Sequence, residues 1–591
     1  MNYYQAPIKD IMFALSELAD IDEFSKKINN KDISYDNIKM ILEEAGKWAS
    51  EKLDTINQKG DQDGIMLENG MVRMPQYFID TYKEFVKNGW FSVIGDKSYG
   101  GQDMPLSVLL AINEIWEASN MSFAVNNMLT QGAVELIQEH GSQIQKNKYL
   151  PQLISGNWSG TMNLTEPHAG SDLSTLKTKA KKIDNDRYLI TGTKIYITHG
   201  DQDMTDNIIH LVLAKLPNAP SGVKGISLFL VPKYYENDKG IKVKNDIKVV
   251  SVEHKLGHNA SPTCVLAFGE GEGAVAELVG KPNFGLKSMF TMMNNARLNV
   301  GIQGIAISER AYQKALNFAK ERKQGKSISK NESSTEIINH PDVKRMLMEM
   351  KSQIEAMRGL ALITGEMIDY YKKFPFTEEG KNNGIISDLL TPVVKAWCTD
   401  QSVYLTSLGI QIHGGMGFIE DTGAAQYFRD SRILPIYEGT NGIQALDLLG
   451  RKLFLDQGKA FNQIVNRIEK TIVLCKKSSN KDINIISKNL SIAMDSLKES
   501  CNWLISVYSK DQQMAASGAT PFLNMFGWSL GGWVLALSAL KSEKLLYREK
   551  NSIFAKNKIK TALFYATTYL PIASSHQDTI LNSHKSINII N

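Results

Sequence analysis

The order in which the apolar residues change their spacing constrains this chain more than any other feature. From about residue 35 to 154 they recur at helical intervals, as in Val108, Leu109, Ile112, Ile115 and Trp116. Between about 159 and 285 the pattern shortens. Residues 188–198, 208–214 and 226–231 are β-branched and aromatic runs separated by Gly, Asn and Asp, which predicts a β-barrel or sandwich. From 286 to about 455 long helical periods return, over 300–322, 344–371 and 385–408. The expected fold class is α+β, mostly helical. Its expected parts are a helical preface (1–35), an N-terminal helical domain (36–158), a central β-barrel or sandwich domain (159–285), a C-terminal four-helix bundle (286–455) and a helical C-terminal extension (456–591).

With 591 residues, 43% of them hydrophobic and 22% charged, the chain can build sizeable cores without covalent staples. A formal charge of +4 is too small to argue for nucleic acid. The charge is uneven, because the extension carries 17 Lys and Arg against nine Asp and Glu, leaving the rest slightly acidic. Cys264, Cys398, Cys475 and Cys501 show no metal-ligand spacing and read as reduced thiols of a cytoplasmic protein. The first twenty residues lack the basic-then-apolar layout of a secretory signal. The longest apolar stretch, 528–540, is shorter than the ~20 residues of a spanning helix. A soluble chain is therefore expected, with peripheral membrane contact through Phe526, Trp528 and Trp533 left open beside ordinary core packing.

Three segments carry chemistry. Thr165-Glu-Pro-His-Ala-Gly-Ser-Asp172 combines hydroxyls with Gly and Pro, as in a loop that aims donors at a ligand or in an ordinary polar turn. In Lys194-Ile-Tyr-Ile-Thr198, strand alternation puts Tyr196 and Thr198 on one face, suited to the edge of a planar heterocycle or to a half-buried strand. Glu438, in Ile436-Tyr-Glu-Gly-Thr440, lies just before a helical run, where a helix N-terminus would stabilise its carboxylate and Thr440 or Asn441 could cap. Taken alone, Glu438 reads as a solvated loop acid. Gln411-Ile-His-Gly-Gly415 does not match a dinucleotide fingerprint. Gly527-Trp-Ser-Leu-Gly531 matches a nucleophile elbow, but 524–540 reads as one continuous helix with small residues for close packing. No metal or P-loop motif is present.

Taken together and in order, these segments resemble the acyl-CoA dehydrogenase family over about residues 40–455, and the preface and extension resemble its longer bacterial members, the 3-methylmercaptopropionyl-CoA dehydrogenases among them. The resemblance implies FAD as cofactor, held by Met162, Leu164, Thr165, Gly170 and Ser171 of the first segment and by Tyr196 and Thr198 of the second. Across a dimer interface it implies Arg322, Gln411, Gly414 and Gly415, with Thr440 beside the base. Ser171, Asn294, Arg297 and Gly439 would contact the acyl-CoA substrate, and Glu438 would remove the α-proton while flavin N5 takes the β-hydride. Acyl binding would expel water and raise the pKa of Glu438.

The resemblance also implies an electron-transfer flavoprotein as electron acceptor, a homodimer or dimer of dimers, and a place in fatty acid β-oxidation. Three departures from the family pattern stand out: Tyr196 for Trp, Asn294 for Asp, and Gly325-Lys326 after Gln324 in place of Phe-Gly. Residues 326–336 read as an insertion. Two other activities fit the same fold, an acyl-CoA oxidase using O₂ and a DNA-binding protective flavoprotein. The retained Glu438 speaks against the second, so no nucleic acid is expected.

Overall fold

A computed structural model describes residues 4–93, 95–184, 187–326, 334–587 and 589. The order helical, β, helical is as expected. The chain forms two compact units. One, here the helical unit, comprises Met1–Lys47, Pro105–Ala118 and Arg297–Asn591, and the mixed unit comprises Trp48–Met104 and Ser119–Ala296.

In the mixed unit eight strands share one sheet. They are β1 (Trp158–Asn163), β2 (Lys179–Lys182), β3 (Arg187–Thr198), β4 (Asn207–Lys215), β5 (Ile226–Pro232), β6 (Ile247–Val252), β7 (Thr263–Phe268) and β8 (Ala274–Val279). Strand β3 pairs with β8 and β2 through its first half and with β7 through its second. Because β2 also touches β4, the path β3–β8–β5–β4–β2 closes on itself, which is the expected barrel. Strand β1 is added parallel to β4 and ends the sheet. Leu129 and Leu136, from the helix Met121–His140, are buried in one core with Ile209, Leu211 and Leu228 of the barrel. A Cβ on Gly160 would come within 2.4 Å of Ala133, so only glycine lets that helix approach β1.

The stretch expected to be wholly helical also holds a hairpin, Met66–Glu68 with Met71–Arg73. Asn69 and Gly70, both at positive φ, are its two loop residues. Asn-Gly is a short-range hairpin signal that a helical period masks.

The helical unit is built on α1 (Leu106–Ser119), α2 (Gly285–Glu321, of which it holds the residues from Arg297 on), α3 (Pro341–Lys373), α4 (Glu378–His413) and the short α5 (Asn441–Asp447). The extension adds α6 (Lys459–Lys476), α7 (Lys481–Tyr508), α8 (Ala519–Arg548) and α9 (Ile553–Asn582). Glycines let α8 approach the bundle: a Cβ on Gly527 would fall 2.3 Å from Trp397, and one on Gly359 2.4 Å from Val534. Ser529, the serine of the elbow-like motif, lies mid-helix and donates to Met525 O at 2.8 Å, so no nucleophile elbow exists there.

The 30 residues of α8 make it long and apolar enough to cross a membrane, more than the run 528–540 suggested. Its apolar face is nevertheless spent on the core. Phe526 is fully buried and Trp533 donates to Thr471 at 3.0 Å.

Buried ion pairs tie these pieces to α3. Arg358 bonds Glu114 of α1 at 2.6 Å and Glu309 of α2 at 2.8 Å. One turn away, Glu355 forms an ion pair with Lys558 of α9 at 3.0 Å, and Lys558 also pairs with Asp10 of the preface at 2.6 Å. Lys558 and Arg358 are almost inaccessible to solvent. Each carboxylate left without its cation would be an uncompensated buried charge. Arg358→Met is therefore expected to destabilise the fold by about 3–5 kcal/mol, read as a fall in denaturation midpoint, whereas a change within error would show the triad to be replaceable by apolar packing.

Candidate active site

Glu438 follows a tight coil whose amides turn back on themselves, Ile436 N to Ile433 O at 2.8 Å and Tyr437 N to Ile433 O at 3.1 Å. Its own φ is +56°, in the left-handed region, and Gly439 follows at +84°. That conformation is uncommon for a residue with a side chain and persists only where surrounding contacts impose it. Here they do. Lys395 of α4 donates to Gly439 O at 2.9 Å and to Asn441 Oδ1 at 2.8 Å. Gln444 donates to the carbonyls of Glu438 and Gly439, each at 3.3 Å. Thr440 caps α5 by accepting from Ile443 N at 3.3 Å. Asn441 does not cap; its amide donates to Asp400 at 2.7 Å and to Ala396 O and Thr399 at 3.0 Å. A Cβ on Gly439 would meet Gln444 at 2.7 Å, with the Arg297 guanidinium 3.8 Å away.

Burial pushes the Glu438 carboxyl up to about 7, against the opposing pull of Arg297 and Lys395. The helix N-terminus was expected to stabilise the charged form. Desolvation outweighs both it and the two cations, and does so without an acyl chain in place. Burial likewise pulls Lys395 down to about 7, against Glu438 and Asp400. Arg297 is buried and faces Asp447 of α5 at 3.5 Å.

Behind Glu438 runs a polar line. Tyr437 donates to Gln303 of α2, and Gln303 donates to Glu117 of α1 at 3.1 Å. Burial raises Glu117 to about 8, so at neutral pH it holds a proton.

The other sequence-identified residues of the helical unit are exposed. Gln411, Gly414 and Gly415 lie at the end of α4, with open space where Cβ atoms on the two glycines would point. Arg322 is exposed just past the end of α2. Close by in sequence, Phe418 is 83% exposed and Met416 and Ile419 about half exposed. Of the inserted segment, residues 327–333 lie outside those described. Its flanks pair with each other, Gln324 N with Thr335 O at 3.0 Å and Thr335 N with Gly325 O at 3.1 Å.

In the mixed unit the loop 165–172 is fixed from beneath. Lys194, fully buried, donates to Leu164 O at 3.0 Å and to Glu166 at 2.9 Å. Burial pushes the Glu166 carboxyl up, but Lys194, the Thr178 hydroxyl and the Lys177 N–H together hold it below its ordinary value. With that staple in place, Gly170 and Ser171 are exposed and Thr165 half-buried.

Strand β3 departs from simple alternation. The register opposite Cys264 and Leu266 slips, making Ile195 and Tyr196 a bulge, and Tyr196 takes φ +59°. Lys194 is thereby buried while Tyr196 is 60% exposed, with Thr198 half-buried beyond it. Met162 lies on β1, which pairs on one side only, so backbone donors and acceptors of its outer rim are not taken by a neighbouring strand. An open strand rim, exposed hydroxyls and an exposed aromatic ring fit a planar heterocycle with alternating donors and acceptors, as a flavin is. Asn294 is exposed on α2.

Sequence reading missed Lys395, Gln303 and Glu117, and gave Asn441 only as an alternative cap. One signal for Lys395 was present: it is the lone charge in the otherwise apolar helical run 389–398, where a lysine must find partners.

Comparison with known proteins bears on the whole chain. Models of the acyl-CoA dehydrogenase N-terminal, middle and C-terminal domains match residues 36–157, 161–270 and 283–453, and an acetyl-CoA dehydrogenase C-terminal-like model matches 464–589. A 3-methylmercaptopropionyl-CoA dehydrogenase of Ruegeria pomeroyi is 42% identical over 99% of both chains. A broad-specificity linear acyl-CoA dehydrogenase of Mycobacterium tuberculosis is 31% identical over 98% of both. In fold, Caenorhabditis elegans ACDH-11 in complex with C11-CoA superposes with a TM-score of 0.75 at 19% identity, covering 98% of this chain and 96% of its own. The chain belongs to the acyl-CoA dehydrogenase family.

Proposed function

We propose that in this FAD-dependent acyl-CoA dehydrogenase Glu438 is the base that removes the α-proton of a short-chain acyl-CoA, yielding the trans-2-enoyl thioester. The observation that carries this reading is a carboxyl held in a left-handed turn between Arg297 and Lys395, with its pKa raised to about 7. An ordinary glutamate near pH 4 is a weak base, and one raised toward neutrality gains basicity while still ionising at working pH. The Glu438 N–H finds no acceptor among the described residues, so it can donate to the thioester carbonyl as negative charge develops there. Bound FAD supplies the acceptor for the β-hydride. Met162, Leu164, Thr165, Gly170 and Ser171 would hold it, with Tyr196 and Thr198 at the ring and Thr440 beside the base. Ser171, Asn294, Arg297 and Gly439 would contact the acyl-CoA.

Short-chain substrates, methylthio-acyl thioesters included, are favoured by the 42% identity to the Ruegeria protein and by 35% identity over 474 residues to a butyryl-CoA dehydrogenase of Syntrophomonas wolfei. A cytoplasmic homodimer in fatty acid β-oxidation completes the reading, with electrons leaving to an electron-transfer flavoprotein. Its second copy would cover the exposed Met416, Phe418 and Ile419 and bring its FAD to Arg322, Gln411, Gly414 and Gly415. The four cysteines, all free and buried, suit a reducing compartment.

Glu438→Gln is expected to keep FAD and acyl-CoA binding while dye-linked turnover falls by about 10²–10⁴-fold or more; normal turnover would sink the assignment. Since the ionised form acts, kcat/KM should fall about tenfold per pH unit below about 7 and level off above it, and a flat profile through that range would contradict the raised pKa. In an anaerobic panel of saturated thioesters, butyryl and 3-methylthiopropionyl forms should bleach the flavin faster than long chains. The reverse order would exclude the short-chain reading.

A further inference from the structure

Lys395 is a fully buried lysine that makes no ion pair among the described residues. Its two acceptors, Gly439 O at 2.9 Å and Asn441 Oδ1 at 2.8 Å, are neutral, and both flank the strained turn. The neighbouring cation differs in this respect, since Arg297 already faces Asp447. Asp400, the acid next to Lys395 on α4, is occupied by the Asn441 amide.

We propose that Lys395 is the positioning residue of the base, its ammonium pinning Gly439 and Asn441 so that Glu438 keeps its left-handed backbone, and its charge steadying the ionised carboxylate. This rests on Glu438 being the base. Charge-assisted hydrogen bonds are short and directional, so one ammonium bonded to both sides of the Gly439–Asn441 segment fixes the carbonyl that follows Glu438. The same charge acts on titration. Facing the pair are Arg297 from α2 and Asp400 from α4, while Asp447, Arg451 and Asp388 act on Arg297. Among these, Arg297 and Lys395 are the groups that favour the charged Glu438. The ionised form of each member of the Lys395–Glu438 pair favours the ionised form of the other.

The test compares Lys395→Met, Lys395→Arg and Asn441→Ala as FAD-loaded enzymes, with the 450-nm flavin absorbance and melting temperature as checks on integrity. For Lys395→Met, kcat at neutral pH should fall by about tenfold or more with little change in KM. The acidic limb of kcat/KM should move up by about one pH unit or more, so that part of the activity returns in alkali. Lys395→Arg should keep the limb near the wild-type position, because the charge is retained. Asn441→Ala should lower kcat without shifting the limb.

A loaded, folded Lys395→Met enzyme with the wild-type kcat and limb overturns the proposal, as does one whose kcat is lowered equally at every pH with an unmoved limb. If the methionine variant does not load FAD, an unchanged kcat in Asn441→Ala overturns it and a lowered one supports it. Glu438→Gln separates the two levels. Retained turnover there removes the base assignment itself, while a dead Glu438→Gln beside an unaffected Lys395→Met removes only the role of Lys395.

Discussion

The helical unit hangs on two cations buried against one helix. Arg358 projects from α3 to α1 and α2, and one turn away Lys558 of α9 joins Glu355 of α3 to Asp10 of the preface helix Ile8–Phe13. Such pairs add little net stability over apolar packing, because desolvation consumes most of the Coulombic gain. They are exacting about partners. A preface or extension docked out of register would strand a charge in the core, so the network selects one arrangement of segments far apart in sequence. The basic bias of the extension has the same origin in part: Lys558 answers Asp10 and Glu355, and Lys541 lies 3.4 Å from Glu17 of the preface. Some of the positive charge that suggested an outside partner is matched from within.

The bundle that these cations assemble is also what surrounds Glu438. Arg297 and Gln303 lie on α2 and Lys395 on α4, and Glu117 on α1 is one turn from Glu114 of the triad. Displacing α1 or α2 would therefore disturb the line Tyr437–Gln303–Glu117 at the same time. This couples fold to chemistry through identifiable contacts. The network that fixes the helices also fixes the dielectric environment in which Glu438 titrates.

What could be read in the sequence follows from what each signal reports. Periodicity reports burial along one element, so the helical, β, helical order and the continuous helix through Ser529 were legible. The hairpin at Asn69-Gly70 was legible in principle, since turn chemistry there is local, but the helical period around it won. The order of six short segments disclosed the family and, by resemblance, Glu438. Its surroundings were hidden, because Gln303, Lys395 and Glu117 converge with Arg297 from three stretches of chain and only folding brings them together. The sign of the electrostatics was hidden for the same reason: a helix N-terminus nearby is a sequence-level feature, whereas desolvation is a property of everything packed around the carboxyl. The bulge at Tyr196 changes which residues share a face without changing the residue pattern, so simple alternation gave no warning that Lys194 would be buried beneath the loop it staples.

Glu438 carries two groups that could serve one reaction. Ile436 N and Tyr437 N both donate to Ile433 O. The Glu438 N–H, next to its own carboxyl, has no acceptor among the described residues. A base and a hydrogen-bond donor on one residue are suited to the two ends of the same reaction, the α-proton that leaves and the carbonyl oxygen that gains charge as it does so. Both belong to one residue, so their separation varies only with its side-chain torsions. What packing must supply is the unfavourable φ, and Lys395, Gln444 and the glycine that follows are the groups that supply it.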